Sequence, residues 1–107
     1  SRAYTALVDK IKTFILSQYN RDISINDMAN EIGASRSHIN KTFKNITAQT
    51  INQYLFDVII NKSNDLLITM SVTETAFEVV FNNSAYFSTV FKKQTGKTPK
   101  EYQQSIT

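Results

Sequence analysis

Arg36, Lys41 and Lys44 stand between Gly33 and Thr50 with no Asp or Glu among them, and Lys92, Lys93, Lys97 and Lys100 occupy the stretch from Val79 to Lys100 on the same terms. These windows carry +3 and +4, which leaves −4 for the rest of a chain whose formal net charge is +3. Clustered cations of this kind hold a polyanion at defined places, here two. Short polar and small residues lie between them: Ser37 and Asn40 in the first window, Ser84, Ala85 and Thr89 in the second. An Asn amide pairs well with adenine and a Lys or Arg with guanine, while Lys ammoniums and the backbone amides of helix starts take phosphates. The residue types therefore suit recognition of a phosphate backbone and of base edges.

Other chemistries lack their parts. There is no cysteine, which excludes disulfides, thiolate zinc sites and cysteine nucleophiles, and His38 is the only histidine, too few ligands for a metal cluster. A serine, histidine and acid triad would need His38 oriented by a buried acid, and none is foreseeable. No catalytic residue, metal or cofactor is expected, and the chain is not read as an enzyme. No run approaches the roughly 18 apolar residues of a membrane span, and there is no signal-peptide pattern, so the expected location is the cytoplasm. The sequence starts at Ser1 rather than Met, so an effector or dimerisation domain is expected to be able to precede it, and the isolated domain to be monomeric.

The elements that must position the two clusters are written twice. "INKTFKNITAQTINQY", residues 39–54, and "FSTVFKKQTGKTPKEY", residues 87–102, align at an offset of 48, pairing Phe43 with Phe91, Lys44 with Lys92, Thr47 with Thr95, Thr50 with Thr98 and Tyr54 with Tyr102. Upstream, Ile25, Asp27, Ala29 and Ile32 pair with Val72, Glu74, Ala76 and Val79 at an offset of 47. Helical spacing of apolar residues predicts a first helix over about Tyr4 to Gln18. Ser24 with Asp27 starts a second that Gly33 ends, and Ser35 caps a third over Arg36 to Asn45 with Ile39 and Phe43 inward. Thr50 caps a longer linking helix to about Ile68. Ser71 with Glu74 opens the fifth helix, which runs to about Val80; Asn83 or Ser84 opens the sixth, and Thr98, Pro99 and Glu101 open the seventh. Phe77, Phe81, Tyr86, Phe87 and Phe91 are read as core. The expected fold is all-α: seven helices in two helix-turn-helix subdomains, residues 1–50 and 69–107, joined by a linking helix over 51–68.

With "SVTETAFEVVFNNSAYFSTVFKKQTGKTPKEY", "SINDMANEIGASRSHINKTFK" and "YLFDVIINKSNDLL", the chain resembles the C-terminal DNA-binding domain of the AraC/XylS family of bacterial transcription regulators. The resemblance covers nearly the whole chain. It implies base-reading positions at Ser37, Asn40 and Lys41, then Ser84, Ala85 and Thr89. Arg36, Lys44, Lys92 and Lys93 join these as DNA-binding candidates on charge and exposure. Double-stranded DNA is the expected partner, with RNA polymerase a further one; the alternative is a helical protein-interaction module whose basic faces hold an acidic partner. The chain departs from the family pattern at Ala48 and Val80, where glycine is usual, at Ile59 and Thr89, where a basic residue is usual, at Ser63, usually alanine, and at Gln103, usually basic. Of these, Val80 is expected to strain its turn, because a β-branched residue dislikes positive φ. A linking helix of about 25 Å is expected to let the two recognition helices reach successive major grooves, one duplex turn of roughly 34 Å apart.

Overall fold

The computed structural model of the chain describes residues 2–79 and 84–106, and every regular element among them is an α-helix. In order these are α1 (Arg2–Gln18), α2 (Ile25–Ile32), α3 (Arg36–Thr47), α4 (Ile51–Leu66), α5 (Val72–Glu78), α6 (Ser84–Thr95) and α7 (Pro99–Ser105). The expected Val80, Phe81 and Asn83 features lie outside the described residues. The chain divides into two compact units, Ser1–Val58 and Ile59–Thr107, with α4 contributing its first half to one and its second half to the other.

The first unit closes around Val8, Ile11 and Ile15 of α1, Met28 and Ala29 of α2, Ile39 and Phe43 of α3, and Ile51 and Val58 of α4. The α1 residues recur at helical spacing, so one face of α1 is apolar and the other carries Asp9, Lys10 and Thr13 to solvent. In the second unit Ile59, Ile60 and Leu67 of α4 and its end are buried, with Ala76, Val79, Phe87 and Phe91. Ile59, in place of the family's usual basic residue, is therefore a core side chain. Ser63 is fully buried as well, and its hydroxyl avoids an unpaired state by donating to the Ile59 carbonyl at 2.7 Å.

Two aromatic expectations fail. Phe77 and Tyr86 are 63% and 56% exposed, whereas Phe87 and Phe91 are fully buried. A helix at the surface of its unit buries one stripe and exposes the rest. On α5 that stripe is taken by Thr75 and Ala76, and on α6 by Phe87 and Phe91; Phe77 and Tyr86 each lie about 100° of helical rotation from it.

The duplicated phrase is a duplicated bonding network. Thr47 donates to the Phe43 carbonyl at 2.7 Å and accepts from the Gln49 N–H at 3.2 Å; Thr95 donates to the Phe91 carbonyl at 2.8 Å and accepts from the Lys97 N–H at 3.3 Å. Each threonine thus ties the end of a recognition helix to the turn beyond it. The next helix is capped reciprocally in both copies: the Thr50 hydroxyl accepts from Gln53 N at 3.1 Å while Thr50 N donates to Gln53 Oε1 at 2.8 Å, and Thr98 and Glu101 repeat this at 3.1 and 2.9 Å. One turn later Tyr54 meets Phe43 with ring centroids 5.6 Å apart, and Tyr102 meets Phe91 at 5.9 Å. The repeat therefore encodes how a recognition helix is anchored.

The boxes of α5 and α7 hold their acids ionised. Hydrogen bonds from the Ser71 backbone N–H and then its hydroxyl keep the Glu74 carboxyl below the usual carboxylate range, and the Thr98 backbone N–H, then its hydroxyl, do so for Glu101 with smaller help from Lys92 and Lys97. Because the folded pKa is depressed, this support is present above the unfolded carboxyl's range and is lost as pH falls through the folded one.

Backbone strain sits at Ala48. It ends α3 in the left-handed region at φ 64°, its N–H bonding the Lys44 carbonyl at 2.9 Å, and it is the one non-glycine residue with positive φ among those described. Its counterpart at the end of α6, Gly96, adopts φ 83° and bonds Lys92 in the same way. A Cβ in this region costs about 1–2 kcal/mol, partly offset by the greater chain entropy that glycine loses on folding. Ala48→Gly is accordingly expected to stabilise the chain by about 1 kcal/mol. A rise in the urea midpoint with unchanged slope would show it, whereas a fall would mean that the alanine methyl contributes more than its strain costs.

Gln103 explains another departure. Its amide donates to the Leu67 and Met70 carbonyls at 3.0 and 2.6 Å, closing the C-terminal end of α4 from α7. A basic side chain there would also donate, and would complement the helix dipole, so glutamine keeps the donor and gives up the charge. Gln103→Glu removes both donors and sets a carboxylate against two carbonyls, with an expected loss of about 2 kcal/mol, while Gln103→Lys stays near neutral. Equal urea midpoints for the two variants would refute that account.

Candidate nucleic-acid interface

Each unit presents two successive helices, α2 and α3 in the first and α5 and α6 in the second. In the first, Gly33 at φ 81° ends α2 with its N–H on the Ala29 carbonyl at 2.8 Å, and two residues later the Ser35 hydroxyl caps α3 by accepting from His38 N at 3.1 Å. A Cβ on Gly33 would meet nothing within 4 Å, so it is the backbone angle that requires glycine there. With Ile39 and Phe43 fully buried, the orientation of α3 is fixed and Arg36, Ser37, Asn40, Lys41 and Lys44 are all exposed. They form one polar strip without a carboxylate. Lys44 is partly engaged, since its ammonium donates to the Ala48 carbonyl at 3.1 Å. Another cation of this unit, Lys12, lies 5.6 Å above the Tyr54 ring, whose hydroxyl pKa is raised by burial.

In the second unit Phe87 and Phe91 orient α6, and Ala85, Thr89, Lys92 and Lys93 are exposed. Ser84 opens the helix, and its side chain lies outside the described residues. Ser88 of the same helix is half-buried. The Thr89 hydroxyl donates to the Ala85 carbonyl of its own helix at 3.0 Å, so its proton is taken and a methyl and a lone pair face outward. Lys92 and Lys93 complete the strip in the last turn, where cations also suit the helix dipole.

The sequence reading found the strip on α3 and missed the flank beside it. Tyr4 of α1 meets His38 edge to face at 6.1 Å, and Thr42 and Asn45 line a cleft with them. Tyr4 precedes the apolar run that begins at Leu7, so periodicity gave no sign of it. No group of three or more His, Cys, Asp or Glu suited to a metal ion exists among the described residues, and no helix among them is long and apolar enough to cross a membrane.

A family profile described as a helix-turn-helix domain matches residues 28–105. An HTH-type transcriptional regulator encoded in the cgkA 5' region of Pseudoalteromonas carrageenovora is 44% identical over 94% of this chain, which spans 60% of that protein. A transcriptional regulator from Chromobacterium violaceum, described among proteins containing an AraC-type DNA-binding domain, superposes with a TM-score of 0.88 at 18% identity, over 97% of this chain and 95% of the other. The DNA-binding domain of AdpA, solved in complex with a target DNA, superposes with a TM-score of 0.83 at 21% identity, over 92% and 90%. At these identities the two structures speak to the fold.

Proposed function

We propose, because this chain belongs to the AraC-type family of helix-turn-helix domains, that it is the DNA-reading part of a bacterial transcription regulator and places α3 and α6 in successive major grooves of one duplex. The observation that carries the reading is the pair of recognition helices on one repeated scaffold, each with an acid-free outer face. AdpA, whose domain shares this fold, is a DNA binder, which supports the choice of ligand. Arg36, Ser37, Asn40, Lys41 and Lys44 serve the first groove. Ser84, Ala85, Thr89, Lys92 and Lys93 serve the second. Residues 1–50, 51–68 and 69–107 act as reader, link and reader. The domain alone is a monomer of the cytoplasm without catalytic function; effector binding or dimerisation belongs to other parts of the whole protein, and RNA polymerase is a partner where the regulator activates.

Selection of bound duplexes from a random library, followed by footprinting on the winner, tests this. An asymmetric site of roughly two turns, protected on two successive major grooves per chain, is the expected result. Protection of one groove overturns it. The rival reading, an acidic protein partner, predicts no selected sequence and a shallow salt dependence in place of a slope near −0.9 for each phosphate contact.

A further inference from the structure

We infer that the cleft between the start of α1 and the flank of α3 seats one DNA phosphodiester, held by His38 and Asn45. The inference rests on the DNA-binding reading above and adds a site to it. The cleft, of about 220 Å³, is lined by Tyr4, His38, Lys41, Thr42, Asn45 and Ile46. On α3 the polar members fall at positions 38, 41, 42 and 45, the i, i+3, i+4, i+7 spacing that stacks side chains along one strip. This strip lies beside that of Arg36, Asn40 and Lys44; on it His38, Lys41 and Asn45 are exposed and Thr42 is buried. A helix in the major groove turns one strip toward base edges, and its flank meets the sugar-phosphate strand that walls the groove.

The chemistry of the lining suits a phosphodiester. An imidazole presents an N–H in either protonation state, and the Asn45 amide supplies two more donors. Edge-to-face packing on Tyr4 restrains the His38 ring, so less rotamer entropy remains to be lost on binding. Lys41 lines the same cleft, and its long stem allows its ammonium to serve either strip. No carboxylate lines this cleft, whereas the two larger grooves of the first unit, about 440 and 360 Å³ along α1 and α2, are lined by Asp9 and Glu31 and by Asp22, Asp27 and Glu31. In both of those grooves the acids outnumber the one cation, Lys10 or Arg21, so this cleft suits a phosphate better than they do. The contrast also selects which side of the first unit faces the duplex.

The test uses the selected duplex with a neutral methylphosphonate placed at one backbone position at a time. In the wild-type chain each contacted phosphate replaced lowers affinity, by about 10-fold for a charge-assisted contact. At one position this penalty is expected to shrink in both His38→Ala and Asn45→Ala and to persist in His38→Gln, which keeps an N–H donor. At every other position the variants should match wild type. A general loss of stability cannot produce such a position-specific reduction. If both alanine variants keep the full penalty at every position, the seat is wrong although the chain binds DNA. If wild type selects no duplex at all, the DNA-binding reading fails and the seat with it.

Discussion

Asn40→Ala and Lys41→Ala are each expected to cost about 1–3 kcal/mol on the preferred duplex and much less on a scrambled one, whereas Lys92→Ala combined with Lys93→Ala should weaken both duplexes alike and flatten the salt slope by about two units. The asymmetry follows from what each helix offers. On α3 an amide and long cations are exposed, groups able to make directional contacts to adenine or guanine. On α6 the matching positions hold Ala85 and Thr89, and the Thr89 proton is spent on the Ala85 carbonyl, so a thymine methyl contact is the best specific interaction available. The lysines behind them are expected to take phosphates, which would position the unit without reading sequence. Binding to both duplexes at several salt concentrations decides the matter. A changed base preference in the lysine pair, with none in Asn40→Ala or Lys41→Ala, would show the roles to be reversed.

The proposed division rests on where the repeat breaks. Phe43, Lys44, Thr47, Thr50 and Tyr54 recur unchanged 48 residues later, while Ser37, Asn40 and Lys41 become Ala85, Ser88 and Thr89. Identity marks the anchoring network; divergence marks the faces. Caps were equally legible, since Ser24, Ser35, Thr50, Ser71 and Thr98 each accept from the backbone three residues on. Strain was sought at Val80, where a glycine is missing from the pattern, and is seen at Ala48, another such position. Val80 lies outside the described residues, so the left-handed angle is seen at Ala48 alone of these two positions. Phe77 and Tyr86 misled for a related reason: periodicity identifies apolar residues, yet each of these lies about 100° of helical rotation from the buried stripe of its helix. The Tyr4 and His38 contact joins residues 34 apart, beyond the reach of any local pattern.

Phe91→Ala should remove about 3–5 kcal/mol from the second unit and leave the first folded. Phe91 is fully buried, with the rings of Phe87 at 5.8 Å and Tyr102 at 5.9 Å, so truncation opens a cavity whose walls are themselves anchors of α6 and α7. A unit of about half this chain buries a small core and has little stability to lose. The first unit keeps its own cluster from Val8 to Val58, which contains no residue of α6 or α7. Hydrogen exchange is expected to show lost protection across α5, α6 and α7 with α1, α2 and α3 still protected. On DNA, the variant should keep the base preference set by Asn40 and Lys41 while its affinity and salt slope fall, because the phosphate contacts of Lys92 and Lys93 are no longer held in place. Phe43→Ala should do the reverse and abolish base preference. Loss of protection in both units together, from either variant, would mean that α4 couples them into one cooperative structure, and the separation of reading from anchoring would then have to be sought in the side chains alone.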